Sequence, residues 1–231
     1  KIEHDQYVQY MDLVKQRESG MPFAYLTGEK EFYDLTLKVT PATLIPRADT
    51  ELLVEAALSK IQGNDSYKVI DMGTGSGAIA LTLKKHRPNI KVIAVDQSLE
   101  ALSVAKENGE RLALDVEFIH SDWFSNVQGN DFDLIVSNPP YIEEHDEHLV
   151  GDGVKYEPIT ALVADNDGYS DLFHLIQASF PLLKEGGWLM MEHGFEQGEK
   201  LRAEFIKQGY QNVATLKDLG ENDRITIGQK P

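Results

Sequence analysis

The chain has 231 residues, with 22 Lys and Arg against 38 Asp and Glu, a formal charge of −16, and no cysteine. This length allows one large domain, or one domain with a small appendage. The charge argues against direct nucleic-acid binding, which needs a basic surface, and favours a basic protein or a small molecule as partner. The lack of cysteine excludes disulfides and thiolate metal sites. No apolar segment approaches membrane-spanning length and no signal-peptide pattern is present, so we expect a cytoplasmic protein without a membrane partner.

The first part of the chain predicts a helix and a linker. Residues 4–18 carry apolar side chains at three- and four-residue spacing, and Gly20 follows as a stop. Residues 31–39 alternate in part, and a proline-marked connection then leads into a helix that begins near Asp49. We therefore expect a leading segment over 1–27, a hairpin-like linker over 28–48 and the main domain over 49–231.

From residue 67 onward, strands and helices alternate. The strand-like segments are YKVIDM, IKVIAVD, VEFIHSD, FDLIVS and GGWLMME, and the helical ones include GAIALTLKKH, SLEALSVAKENG, YSDLFHLIQASFPLL and GEKLRAEFIKQG. This alternation implies crossover connections and a parallel sheet. The closing strands, QNVATL and DRITIGQ, are joined only by a turn, so they should pair antiparallel at one edge. The sequence predicts an α/β fold with a doubly wound, mostly parallel seven-stranded sheet and an antiparallel edge strand, preceded by a helix and a hairpin-like linker.

A glycine-rich loop lies between the first strand and the first helix of this domain. In VIDMGTGSGAIA, Gly73, Gly75 and Gly77 allow a tight turn and a close approach of the backbone to a ligand at a helix N-terminus. The stretch can be parsed as G-x-G-x-x-A, which suits a dinucleotide. It can also be parsed as G-x-G-x-G preceded by Asp71, which suits S-adenosylmethionine. The loop alone does not decide between the two.

Acidic residues end the next two strands. Asp96 comes about twenty residues after the glycines, where a carboxylate can accept hydrogen bonds from both ribose hydroxyls of a nucleoside. It could instead cap the following helix, unless Ser98 takes that role. The third strand ends in HSDWF, where Asp122 could meet an adenine amine and Trp123 could lie against the ring or serve as a core aromatic.

The stretch SNPPYI, residues 137–142, follows a strand that ends at Ser137. Each proline fixes its own φ and pushes the preceding residue toward extended geometry, which holds Asn138 and Pro139 out of any helix. In an open α/β sheet, ligands bind in the crevice outside the carboxyl ends of the strands. The segment is therefore either an ordinary proline turn or a rigid polar ledge for a ligand.

Two other polar features carry weaker signals. The stretch EEHDEH, residues 143–148, holds a His-x-x-His pair among acids, but charge runs are usually solvated, so we expect a mobile loop and no metal site. His193 follows a late strand, and we expect a hydrogen-bonded residue there rather than a catalytic base.

Taken together, the glycine loop, Asp96, SDWF and NPPY resemble the class I S-adenosylmethionine-dependent methyltransferases, and more closely the HemK/PrmC-type protein-(glutamine-N5) methyltransferases. The resemblance covers nearly the whole chain, including residues 20–55 and 156–176. Those enzymes methylate the glutamine of the Gly-Gly-Gln motif of class-1 peptide chain release factors. The resemblance implies a class I methyltransferase sheet, with S-adenosyl-L-methionine as donor and S-adenosyl-L-homocysteine as product. It also implies a release factor as partner, and a monomer.

The resemblance also implies roles at the positions that match the family's motifs. Donor-binding residues would be Asp71, Gly73, Thr74, Gly75, Ser76, Gly77, Asp96, Asp122, Trp123 and Asn138, and catalytic residues would be Asn138, Pro139, Pro140 and Tyr141. Glu157 and Pro158 would line the substrate entrance. The family normally carries a helical N-terminal domain that grips the release factor, and the chain does not begin with Met, so residues 1–27 are expected to be its remnant. Ala48 stands where the family often has a second proline.

The polar ledge suits amide methylation. A carboxamide nitrogen is a poor nucleophile, so its NH2 must be oriented, and the Asn138 side-chain oxygen and the Pro139 carbonyl can each accept one amide hydrogen. The alternatives are an N-methyltransferase acting on an exocyclic amino group of a DNA or RNA base, a nucleotide-binding dehydrogenase, and a non-catalytic adaptor with this fold. The charge of −16 argues against the first, NPPY has no role in the second, and the intact ledge disfavours the third.

Overall fold

The computed structural model describes residues 3–61, 66–146, 149, 151 and 153–231. The chain begins with helix α1, His4–Glu18, and the short helix α2, Phe23–Thr27. Strands β1, Glu29–Phe32, and β2, Leu35–Lys38, then form the expected antiparallel hairpin. Helix α1 buries none of its residues. No described helix is both long enough and apolar enough to cross a membrane.

The main domain contains seven further strands and six further helices within the described part of the chain. In chain order they are α3 Thr50–Lys60, β3 Lys68–Met72, α4 Ala78–His86, β4 Lys91–Asp96, α5 Leu99–Leu112, β5 Glu117–His120, β6 Phe132–Ser137, α6 Asp165–Gly168, α7 Ser170–Ser179, β7 Leu183–Glu192, α8 Gly198–Gln208, β8 Gln211–Lys217 and β9 Asp223–Gln229. Two short 3-10 turns, Val154–Tyr156 and Ile159–Ala161, precede α6.

The seven strands form one sheet in the order β5-β4-β3-β6-β7-β9-β8. Strands β3 to β7 are parallel, whereas β9 runs antiparallel to both β7 and β8. The predicted mostly parallel sheet with antiparallel pairing at one edge is confirmed. The last strand, β9, inserts between β7 and β8, so β8 forms the edge.

Helices cover both faces of the sheet. Alternate strand residues such as Val69 and Ile70 belong to two separate apolar clusters, as expected when successive side chains point to opposite faces. The first cluster joins the sheet to α3, α4 and the β1–β2 hairpin, and the second joins it to α7 and α8. Helix α7 ends at Ser179, earlier than its apolar pattern suggested, because Pro181 cannot continue a helix.

The chain reverses its order around β3, which lies between β4 and β6. Such a switch point leaves a crevice at the carboxyl ends of the strands. Hydrogen bonds join neighbouring strand ends there: the Thr74 amide donates to the Val95 carbonyl at 2.8 Å, and Ser137 Oγ donates to the Met72 carbonyl at 2.7 Å. The glycine loop, the end of β4 and the NPPY segment therefore meet at one edge of the sheet.

Candidate active site

A cleft of about 750 Å³, open mouth included, lies at this switch point. We call it the deep cleft; its lining includes Gly73, Gly75, Asp96, Trp123, Asn138 and Pro140. The lining also includes Ser98, Ala101, the linker residues 42–44, Pro158, Thr160 and Ala161. Six of the residues that the sequence predicted as donor-binding or catalytic thus meet around one cavity.

The glycine loop has left-handed backbone at all three glycines, with φ of 74° at Gly73, 56° at Gly75 and 87° at Gly77. A Cβ at Gly75 would meet nothing within 4 Å, whereas a Cβ at Gly77 would lie 2.9 Å from Leu81 Cδ1. Gly75 therefore leaves space beside the cleft, and Gly77 lets the first turn of α4 pack closely.

Asp96 is fixed by two backbone amides. Its Oδ2 accepts from the Gly75 amide at 2.8 Å, and its Oδ1 accepts from the Ser98 amide at 2.9 Å. Ser98, rather than Asp96, caps α5, through a 3.1 Å bond from the Ala101 amide to its Oγ. Burial raises the pKa of Asp96, and the bonds from Ser98 and Gly75 oppose that shift. The carboxylate thus ties the glycine loop to β4 and still lines the deep cleft.

Three predicted donor residues, Asp71, Thr74 and Ser76, are buried and are not among the residues that line the cleft. Asp71 Oδ2 accepts from Thr74 Oγ1 at 2.6 Å and from the Ala80 amide at 3.2 Å, and its Oδ1 has no hydrogen-bond partner within the described part of the chain. Complete burial raises the pKa of Asp71 to about 7. Asp71 therefore ties Thr74 of the glycine loop to the first turn of α4.

Trp123 and Asp122 differ in position although they are adjacent. Trp123 is half-buried, with φ of 44°, and its ring lies beside His174 and lines the deep cleft. Asp122 is exposed and is not among the lining residues. The ring can form one wall of a ligand site, whereas the Asp122 carboxylate could reach a ligand only from the rim.

A second cavity adjoins the deep cleft on the far side of the NPPY segment. We call it the outer cavity; Asn138, Pro139, Tyr141, Leu44, Arg47 and Glu192 belong to its lining. Asn138 lines both cavities, whereas Pro139 and Tyr141 face only the outer one and Pro140 only the deep one. The segment is therefore a partition between two spaces, with its asparagine at their junction.

Two residues that sequence reasoning missed join this partition. Asn138 Nδ2 donates to Thr50 Oγ1 at 3.1 Å, Thr50 Oγ1 donates to Glu192 Oε2 at 2.7 Å, and the Tyr141 hydroxyl donates to Glu192 Oε1 at 3.1 Å. Burial raises the pKa of Glu192, against the bonds from Thr50 and Tyr141 and the nearby Arg224. Glu192 ends the apolar run WLMME at a strand's carboxyl end, and that placement is the one sequence signal that could have indicated it.

The linker contributes Leu44 and Arg47 to the lining of the outer cavity. Glu157 is buried, accepts from the Ile45 amide at 2.9 Å and forms an ion pair with Arg47. The Tyr25 hydroxyl donates to the Thr43 carbonyl at 2.6 Å. Glu157 therefore holds the wall from behind, and Pro158 lines the deep cleft.

The weaker sequence signals are His193 and the EEHDEH stretch. His193 is buried, with Nδ1 2.8 Å from the Gly194 carbonyl oxygen and Nε2 2.8 Å from Thr226 Oγ1. Burial lowers the pKa of His193 to about 4, so the ring is neutral near pH 7. Within the described residues no group of three or more His, Cys, Asp or Glu is placed to hold a metal ion. Of the EEHDEH stretch, Glu147 and His148 lie outside the described residues.

Comparison with solved structures identifies the fold. A methyltransferase from Pyrococcus furiosus matches with a TM-score of 0.63 and 19% identity, over 97% of this chain and 98% of that one. The hMettl16 catalytic domain, solved with the MAT2A 3′UTR hairpin 6, matches with a TM-score of 0.66 and 17% identity, over 99% of this chain and 82% of that one. The class I methyltransferase fold predicted from the sequence is confirmed.

Comparison of sequences identifies the family. The family model described as "Methyltransferase small domain" matches residues 48–153. Release factor glutamine methyltransferases from Shewanella oneidensis and Escherichia coli are each 48% identical to this chain over 97% of its length, and over 79% and 82% of theirs. The relative from Aliivibrio fischeri is 50% identical over 94% of this chain and 77% of its own. The chain therefore belongs to the release factor glutamine methyltransferase family.

Proposed function

We propose that the chain transfers a methyl group from S-adenosylmethionine to the side-chain amide nitrogen (N5) of the glutamine in the Gly-Gly-Gln motif of class-1 peptide chain release factors. Its family supports the reaction class and the type of substrate. The observation that carries the proposal is the position of Asn138, whose side chain borders both cavities. A glutamine amide in the outer cavity and a methyl donor in the deep cleft would meet at this residue.

The deep cleft suits the donor. Asp96 accepts the Gly75 amide on one oxygen and the Ser98 amide on the other, and a carboxylate has about four lone-pair sites, so it can also accept from ribose hydroxyls. The open space beside Gly75 and the Trp123 ring leave room for a chain and a flat base. When bound, the donor supplies an electrophilic methyl group on a sulfonium. Gly73, Gly75, Asp96 and Trp123 would hold it.

The outer cavity suits a primary amide. Its nitrogen is a weak nucleophile because the lone pair is delocalised, so the main task of the protein is positioning. Asn138 donates its own NH2 to Thr50, and this leaves Oδ1 available for one substrate N–H, while the Pro139 carbonyl can accept the other. Two acceptors at the nitrogen direct it and stabilise the positive charge that develops there. Tyr141 can pack on the amide plane.

The alternative, methylation of an exocyclic amino group of a nucleic-acid base, would use the same donor residues. The RNA-bound structural neighbour has only 17% identity, a level that speaks to the fold alone. The charge of −16 favours a basic protein over a polyanion. A release factor as substrate would place the protein in the cytoplasm, and nothing in the mechanism requires more than a monomer.

The test is methylation of a purified release factor with labelled S-adenosylmethionine, followed by mapping of the labelled residue. We expect the label on the Gly-Gly-Gln glutamine and none on a release factor in which that residue is Glu. Label on another residue, or transfer to nucleic acid instead, would refute the proposal.

Asn138→Ala tests the role of the ledge. We expect roughly a hundredfold slower methyl transfer with donor affinity largely intact, because one preorganised group that stabilises developing charge is lost. Asn89→Ala is the matched control, since Asn89 is exposed in the loop before β4, at the opposite end of the sheet. Near-full turnover by Asn138→Ala would remove Asn138 from the mechanism.

A further inference from the structure

A single buried carboxylate connects the two polar members of the NPPY partition. Glu192 is 1% exposed, and its two oxygens bond separately, Oε2 to Thr50 and Oε1 to Tyr141. Thr50 is 4% exposed, and its hydroxyl oxygen accepts a hydrogen bond from the side-chain amide of Asn138. The four side chains thus form one chain of hydrogen bonds from Asn138 to Tyr141.

The direction of these bonds follows from what each group can donate. In the structure the Thr50 and Tyr141 hydroxyls both donate to Glu192, which is the arrangement that an ionised carboxylate requires. The Thr50 hydroxyl hydrogen is therefore used, and its oxygen can only accept from Asn138. The amide of Asn138 must then turn its NH2 toward Thr50 and its Oδ1 away. A flipped Asn138 would place two acceptors, Oδ1 and the Thr50 oxygen, against each other at about 3 Å.

Charged neighbours act on Glu192 in opposite directions. Arg224 acts electrostatically on both Glu192 and Tyr141, and its Nη1 donates to the His193 carbonyl at 3.4 Å. His193 itself is neutral near pH 7 and bonds to Gly194 and Thr226, so it takes no part in the chain of bonds. Asp49, whose carboxylate lies 3.5 Å from Arg224, acts against Arg224 and raises the pKa of Glu192.

We propose that Thr50 and Glu192 are positioning residues for methyl transfer, which set the orientation of the Asn138 amide so that its oxygen faces the substrate nitrogen. The Tyr141 hydroxyl would be held at the other end of the same carboxylate, so one group would set both the acceptor and the ring that contact the substrate. The expected effect on the rate of methyl transfer rests on the proposed function. The expected orientation of the Asn138 amide rests on the hydrogen-bond geometry alone.

Thr50→Val and Thr50→Ser form a matched pair. Valine keeps the volume and loses the hydroxyl, whereas serine keeps the hydroxyl and loses a methyl group. We expect Thr50→Val to lower the single-turnover rate about tenfold, the scale of one lost hydrogen bond, and Thr50→Ser to stay close to the parent, with equal donor affinity in all three. The proposal would be overturned if Thr50→Val had the single-turnover rate of the parent, or if Thr50→Ser were as slow as Thr50→Val.

A double-mutant cycle separates positioning from general damage. If Thr50 acts through Asn138, Thr50→Val should have no further effect on the residual rate of Asn138→Ala, whereas a merely structural effect would appear in full in both backgrounds. Glu192→Gln should slow transfer at least as much as Thr50→Val, and part of that loss should vanish in a Tyr141→Phe background. Full additivity in both cycles would refute the proposal.

A readout without substrate distinguishes this inference from the proposed function. In the donor-free protein, the Asn138 side-chain NH2 should give a ¹⁵N-resolved pair of signals with one slowly exchanging proton, assigned by its absence in Asn138→Ala. That protection should be lost in Thr50→Val and kept in Thr50→Ser. If the parent fails to methylate a release factor, the proposed function fails, and the amide signals still decide whether Thr50 orients Asn138. Equal exchange in the parent and Thr50→Val would exclude it.

Discussion

Gly168→Ala should displace the NPPY partition and lower turnover while the rest of the fold is kept. Gly168 has φ of +80°, and a Cβ there would lie 2.8 Å from the Tyr141 carbonyl carbon and closer still to its oxygen. Gln197 holds the same carbonyl, by a 3.1 Å bond from its Nε2. The added methyl group must therefore displace the Tyr141 peptide, which is already fixed from another side.

The size of the effect follows from these distances. Ordinary Cβ contacts begin at 3.4 Å, so the Tyr141 carbonyl must move by about 1 Å, and a misplacement of about 1 Å can lower a rate by about a hundredfold. Left-handed backbone at a non-glycine residue adds about 1–2 kcal/mol of strain. Gly28→Ala is the matched control, because Gly28 has φ of +75° and a Cβ there would meet nothing within 4 Å.

The assay compares three quantities in both variants: single-turnover methyl transfer at saturating donor, donor affinity by calorimetry, and the free energy of unfolding. We expect both to lose about 1–2 kcal/mol of stability from backbone strain, with a larger loss in Gly168→Ala. Only Gly168→Ala should lose turnover, by about a hundredfold, and donor affinity should change little because Tyr141 does not line the deep cleft. Equal turnover in the two variants would refute the reasoning.

Three further predictions concern the groups that hold the two cavities. Asp96→Ala should weaken donor binding in calorimetry, because each charge-assisted hydrogen bond to ribose contributes about 1.5–3 kcal/mol at most. Asp71→Asn should remove a pH dependence of donor-free stability: burial raises the pKa of Asp71 from 3.8 to about 7, so its contribution is full below pH 3.8 and is lost as pH rises through 7, about 4 kcal/mol in all. Urea unfolding of parent and variant from pH 4 to 8 measures that difference. Glu157→Gln should raise KM for the release factor and lower stability by about 1–3 kcal/mol, because it loses the ion pair with Arg47.

Each of these has a contrary outcome. If Asp96→Ala binds S-adenosylmethionine as tightly as the parent, or if the parent prefers NAD, the donor site is assigned wrongly. Parallel stability curves for Asp71→Asn and the parent would mean that another group titrates. An unchanged KM and an unchanged melting temperature in Glu157→Gln would show that the linker wall does not depend on this pair.

The arrangement of the main domain followed from local pattern. Alternating strands and helices from residue 67 onward imply crossovers and therefore a parallel sheet, and the short turn between the last two strands implies antiparallel pairing. The position of β9 beside β7 depended on burial. Residues Ile225–Gly228 are buried on both faces, whereas β8 is exposed or half-exposed throughout, so β9 takes the inner place.

The sequence motifs identified the residues around the deep cleft, but they did not show which of these residues line it. Glycines with positive φ, an acid at the end of β4 and prolines after β6 are local requirements, so the sequence carries them directly. Asp71, Thr74 and Ser76 belong to the same motif, yet they are buried, and Asp71 bonds to Thr74 and to the first turn of α4 instead of lining the cleft. Packing determines which residues of the motif are buried, and the motif sequence alone does not indicate it.

What the sequence by itself determined is the fold class, the glycine loop and the NPPY ledge, because each depends on residues close together in the chain. The support of the ledge was decided only by tertiary structure. Thr50 lies 88 residues from Asn138 and 142 from Glu192, and Tyr141 lies 51 from Glu192. Hydrogen bonds over such separations leave no periodicity or spacing to read, since they form only when α3, β6 and β7 meet at one end of the sheet.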